Sequence, residues 1–311
     1  MIRTSYLQGV MSTALLVTAA LVGGCNSHKS VAPVTTESRP NIQISDLPKK
    51  FLEPIDTTSE SSIKAALKSR ESLTLDGTTL TVGPVGGNST VTLAFDTLTM
   101  TNHARIITNG NNLSILATNL AFNNNDGIAS FVTDTPKPAA AAPGSDGGKV
   151  EIYSTNPVDG SLRIFLPGQV GGDGIPGADG APGTQGRRGD NGVNAMLSCA
   201  RGGTDGAQGN PGAQGAQGGT GGPGGNGGNL VLQGQAVTSH ESHFPYQAAP
   251  GAGGAGGAGG GGGAGGPGGE GGSGSTYCGG GHGGPPGTPG LHGPPGQGGD
   301  SGKSSGSLKL E

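Results

Sequence analysis

"GGTGGPGGNGG", residues 218–228, sets a glycine at every third position and then doubles it. An α-helix repeats every 3.6 residues and a strand every two, so a strict period of three suits neither. It suits a left-handed helix of the polyproline II type, whose glycine edge admits a neighbouring backbone at close range. The same frame runs from Gly168 to Gly192, Gly203 to Gly227, Gly251 to Gly272 and Gly281 to Gly302. What lies against that edge decides the fold.

The chain has 311 residues, 68 of them Gly, with no Trp, six Phe and four Tyr, so no ordinary apolar core can extend through its whole length. Its net charge is −4 and its Lys and Arg are scattered, which argues against a nucleic-acid partner.

Over residues 168–304 the period resembles that of bacterial collagen-like surface lipoproteins. The resemblance implies three chains wound about one axis, a trimeric collagen-like stalk. Only ten prolines fall in the four runs, below the ~15–20% proline of a stable collagen. A triple helix also has no need of the second glycine in "GAGGAGGAG" (251–259). The runs resemble equally the glycine-rich segments of springtail antifreeze proteins and of some phage tail-fibre adhesins. That resemblance implies a monomeric bundle of polyglycine II helices, hydrogen-bonded to one another because such helices have no internal bonds. Runs two and three, richest in doubled glycine, are expected at the centre, with runs one and four outside.

Upstream, Arg3 and "VMSTALLVTAALV" (10–22) read as an export signal. The adjoining "LVGGC" (21–25) resembles the lipobox of bacterial lipoproteins. This implies cleavage after residue 24, acylation of Cys25 and attachment to a membrane through lipid rather than through a span. Asn26 points to the outer membrane or cell surface of a bacterial envelope. Residues 26–60 are polar with four prolines and read as a disordered tether. "ESSIKAALKSRE" (60–71) predicts a short helix capping the strands downstream.

Residues 61–167 read as a short parallel β-solenoid, making the whole chain mainly β. Alternation begins at Leu73, and Val91, Leu93, Leu98, Met100, Asn102 and Ile106 reappear 22 residues later as Leu113, Ile115, Leu120, Phe122, Asn124 and Ile128. An offset of 18 matches Leu73, Leu75, Leu80 and Val82 to Val91, Leu93, Leu98 and Met100. A small β-sandwich is the alternative. After the excursion 135–148, strands are expected at 149–155 and 161–168.

The glycine part, 168–306, reads as two hairpins separated by a strand at 229–237, with a terminal strand at 307–311. Their turns, 195–202 and 275–280, hold Cys199 and Cys278. In an exported chain, two cysteines brought to the same end predict a disulfide; in a trimer they would pair between chains.

A β-solenoid invites comparison with pectin- and alginate-degrading enzymes, a β-helix carbohydrate-active alternative. Asp96, Asp126, Asp134 and Arg105 look isolated at corners, so no enzyme and no cofactor are expected. "HESHF" (240–244) offers His240, Glu241 and His243, weak metal candidates whose spacing matches no standard site, and His282 and His292 lie elsewhere. Arg188–Asp190 spells RGD, which a charged Gly-X-Y frame also yields by chance. The function expected is structural or adhesive, with Arg187, Arg188, His292 and Pro294 turned towards an unidentified extracellular or envelope partner.

Overall fold

The computed structural model describes residues 40–311 except 56–58, 88 and 124. The export signal, Cys25 and the first part of the tether lie outside the described residues.

The fold is mainly β, built on two six-stranded parallel sheets. The first sheet takes β1 (Asn41–Gln43), and β2 (Leu73–Asp76) belongs to the second. Thereafter the chain alternates between them: β3 (Thr79–Thr81), β4 (Thr90–Thr101), β5 (Arg105–Ile107), β6 (Asn112–Phe122), β7 (Gly127–Ala129), β8 (Lys149–Ser154) and β9 (Arg163–Phe165). A separate antiparallel hairpin, β10 (Val193–Ala195) and β11 (Ser198–Arg201), comes next. Then β12 (Asn229–Gln233), β13 (Tyr246–Gln247) and β14 (Leu308–Leu310) complete the two sheets, in the orders β1-β3-β5-β7-β9-β13 and β14-β12-β8-β6-β4-β2.

Because the strands are parallel and in register, like residues stack inside. Ile42, Leu80, Ile106, Ile128, Ile164 and Tyr246 form one inward ladder. Val91, Leu113, Val150, Leu230 and Leu308 form another on the facing sheet. The buried members belong to a single apolar core. The offset of 22 is the true register of β4 on β6, with Val91 beside Leu113 and Met100 beside Phe122.

The offset of 18 is wrong. Leu73 lies beside Leu98 and Leu75 beside Met100. β4 offers the same apolar-x-apolar spacing twice, at Val91 and Leu93 and again at Leu98 and Met100, so the pattern of Leu73 and Leu75 fits either stretch. The corners choose: Gly77, at φ 58°, bonds Thr101 through its amide, and Thr101 Oγ1 donates to Asp76 Oδ1 at 2.8 Å.

Three further expectations are corrected. The tether does not extend to residue 60, because Asn41–Gln43 pairs with β3, and Leu47 and Phe51 are buried. Phe51 meets the Phe95 ring at 5.2 Å, so it is this segment that closes the first turn of the core. The helix α1 (Glu60–Lys68) is instead laid on the outer face of β4 and β6, where Leu67 packs with Ala94, Leu116 and Tyr153. The strand expected to reach 237 stops at Gln233, where Gly234 at φ 81° turns the chain into α2 (Gln235–Thr238).

Three long insertions share one kind of corner, that leading from the first sheet to the second: 130–148 between β7 and β8, 166–228 between β9 and β12, and 248–307 between β13 and β14. The last two carry the glycine runs. Run one bonds run three in parallel, as from Gly171 N to Ala252 O (2.9 Å) and Gly174 N to Ala255 O (2.8 Å). Run two bonds run one in the opposite sense, from Ala207 N to Arg187 O and Ala216 N to Ala178 O, both 2.8 Å. Run three donates to run two (Gly254 N to Gly222 O, 2.8 Å), run two to run four (Gly206 N to His282 O, 2.8 Å) and run four to run three (Gly284 N to Gly269 O, 2.7 Å). Among the described residues no backbone bond joins runs one and four, so runs two and three lie between them.

The glycine columns are what permit these contacts. A Cβ on Gly212 would stand 1.9 Å from the Gly263 carbonyl oxygen, and one on Gly260 2.0 Å from that of Ala178. The second column of run three faces run four: a Cβ on Gly259 would lie 1.9 Å from Gly293 O. In run two the doubled glycines serve a different neighbour. Gly222 and Gly225 would strike the carbonyls of Ala142 and Ser145, in the 130–148 insertion, at 2.0 and 1.9 Å. That insertion bonds runs one and two through Ala141 N to Asp173 O and Gly144 N to Pro223 O.

Column position should therefore outweigh residue type. Gly212→Ala is expected to lower stability by about 1–3 kcal/mol, the usual range for overpacking. At Gly298 a Cβ meets nothing nearer than 3.7 Å, so Gly298→Ala should change stability by no more than about 0.5 kcal/mol. Thermal unfolding of the two variants side by side measures the difference.

Candidate functional site

Runs one and two lead out from β9 and return to β12, and the hairpin β10–β11 is the turn between them. The second excursion turns at residues 275–280 beside the first. Asn194 ties the two turns together: its Oδ1 accepts from the Tyr277 amide at 3.2 Å and from the Ser275 hydroxyl. Gly192 N also donates to Ser273 O at 2.8 Å, and Gly203 N to Gly279 O at 3.0 Å. Across this junction Cys199 and Cys278 form a disulfide, Cα to Cα 4.9 Å, linking positions 79 residues apart.

Here the surface changes character. Met196 is 96% exposed and Leu197 79%, at the very turn of the hairpin, and Val193 and Tyr277 beside them are about half exposed (50% and 49%). Two large apolar residues in a turn oppose the usual preference for Gly, Asn, Asp and Ser. Asn194 and the disulfide brace the turn from beneath. The sequence did carry a signal, the break of the glycine frame at "AMLS" (195–198). Composition alone drew attention to the cysteines and passed over their apolar neighbours.

The other singled-out residues fall into separate places. Arg188 donates to Ser273 Oγ at 3.0 Å and faces Glu270 at 3.8 Å, so this arginine of the RGD sequence is engaged with run three. Arg187, His292 and Pro294 are exposed along the outer runs. His240 and His243 meet edge to face with ring centroids 5.3 Å apart, and His240 Nδ1 lies 2.9 Å from the Ala236 carbonyl. Among the described residues, no three His, Cys, Asp or Glu side chains are grouped to hold a metal ion.

The corner residues judged isolated are not all so. Arg105, Asp126 and Asp134 line one cleft of about 710 Å³ on the outer face of the first sheet. Asp126 is fully buried and acts as a corner brace, its carboxylate accepting from the amides of Ala104 (2.9 Å) and Asn123 (2.8 Å). Asp96 lies apart, on β4.

Compared with known proteins, the chain matches no protein-family model and no curated sequence. Among the described residues no helix is long and apolar enough to cross a membrane.

Breaking the tip linkage has a defined expectation. Cys199→Ser with Cys278→Ser should lower stability by about 2–4 kcal/mol. Hydrogen exchange should quicken first at residues 193–201, while the amides of β6 and β8 keep their protection.

Proposed function

We propose that the chain is a non-enzymatic structural or adhesive lipoprotein of a bacterial envelope, held to the membrane by lipid on Cys25. In this reading the two parallel sheets form a short β-solenoid, the base. The four glycine runs form a polyglycine II bundle, the stalk, and the disulfide-linked turns are the contact surface. The observation that carries the reading is the cluster of Val193, Met196, Leu197 and Tyr277 at the far end of a braced, weakly charged shaft. A stalk with an apolar tip serves to hold something at a distance from its base.

The hydrogen bonding also favours a monomer over a trimeric collagen-like stalk. Every third amide of each run already has a carbonyl partner within the chain, at the edge where collagen chains would meet. The Cys199–Cys278 bond within one chain points the same way.

Cells displaying the full chain should adhere to apolar and matrix-coated surfaces more strongly than cells lacking it. The paired substitutions Met196→Asp and Leu197→Asp should abolish most of that difference. Both side chains are exposed, so the thermal midpoint should stay unchanged. Adhesion that survives the paired change would remove the tip from the account and return the function to the flanks of the bundle.

A further inference from the structure

We propose that the cleft over the first sheet, between Arg105 and Arg163, is a binding site for a carboxylate-bearing saccharide. This site takes part of its lining from the foot of run one and does not involve the tip.

The register of the sheet builds the site. Arg105, Gly127 and Arg163 lie side by side on β5, β7 and β9, all on the outward face. The two arginines are two strands apart, so their backbones are ~9.5 Å from each other, and the glycine between them leaves the slot without a side chain. Neither guanidinium has a hydrogen-bond or ion-pair partner among the described residues. Lys137, the remaining cation of the lining, is engaged with Asp173 at 2.9 Å. That hydrogen bond, followed by one from the Ala255 amide, holds the Asp173 carboxyl below the usual carboxylate range. The acids of the lining do not neutralise the pair: Asp126 is buried against backbone amides, and Asp134 sits exposed on the overlying loop. Two unpaired guanidinium forks flanking an open slot suit carboxylate, which they can bind bidentately.

The floor identifies the rest of the ligand. Two residues further along β9, Phe165 stands outward beside Ala129 and is 44% exposed. Val132 and Val170, exposed at 40% and 38%, line the same cleft. An aromatic face beside charged forks, in a cavity of about 710 Å³, fits a sugar ring with an apolar face and an acidic substituent. An extended acidic peptide fits less well. The backbones of β5, β7 and β9 are paired on both sides, so the cleft offers no sheet edge for strand addition.

The test is calorimetric titration of the full chain with tetragalacturonate, its fully methyl-esterified form, a tetraglutamate peptide and inorganic sulfate. Tetragalacturonate should bind, and the neutral ester should bind at least ~10-fold more weakly, as for loss of charge-assisted hydrogen bonds. Arg163→Gln and Arg105→Gln should each weaken tetragalacturonate by about 10-fold, and Phe165→Ala by a smaller factor. Unchanged far-ultraviolet dichroism would show that these outward-facing variants fold. In the unaltered chain, the Nε resonances of Arg105 and Arg163 should shift on titration, a readout that needs no variant. No binding of tetragalacturonate, or binding indifferent to both arginines, overturns the proposal. Peptide or sulfate binding as tight as the sugar, and indifferent to Phe165→Ala, overturns the saccharide assignment.

Discussion

Among the described residues the glycine runs make no backbone bonds within themselves, so each buried amide must find a carbonyl on a neighbouring chain segment. The partner must approach to within about 3 Å, and a Cβ on that edge would occupy the place of its oxygen. At Gly212, Gly253 and Gly259 the added carbon would stand 1.9 Å from the facing carbonyl oxygen. Glycine at every third position is therefore a condition for satisfying the backbone, not a mark of looseness. The amide of Gly174 reaching Ala255 and that of Gly218 reaching Pro294 are instances of one interaction repeated along the runs.

The base explains why the runs meet at all. Successive strands of a parallel sheet are spaced by about 4.8 Å, so connections that leave from the same corner of successive passes emerge as neighbours. The insertions 130–148, 166–228 and 248–307 all replace the turn from the first sheet to the second. The short first insertion lies along the foot of the second, through Gly144 N to Pro223 O at 2.8 Å and Gly147 N to Asn226 O at 2.9 Å. Sheet register thus fixes the order of the proposed stalk, and run length brings Cys199 and Cys278 to the same end. Apolar stacking in the base and backbone bonding in the runs are different forces. Each is cooperative with its own neighbours, as in repeat architectures generally.

Much of this was legible because repetition leaves a period. The glycine frame marked four runs and two turns, and the 22-residue recurrence from Val91 to Ile128 was the real register of β4–β5 on β6–β7. The offset of 18 failed because β4 repeats one apolar spacing at Val91 and Leu93 and at Leu98 and Met100, while the bond from the Gly77 amide to Thr101 fits only the second. Residues 41–53 have no period, so Leu47 and Phe51 gave little sign that they would close the core. A search for clustered acids does not pair Arg105 with Arg163. They are 58 positions apart, and only the register through Gly127 makes them neighbours. Cys25 lies outside the described residues, and its acylation rests on the resemblance of "LVGGC" to a lipobox.

The central claim is that the glycine edges are satisfied within one polypeptide. Sedimentation equilibrium of the unlipidated chain, with the disulfide intact, tests it most directly. The account predicts a single species with the mass of one chain, independent of protein concentration. A species with the mass of three chains, melting with loss of triple-helical dichroism, would contradict it.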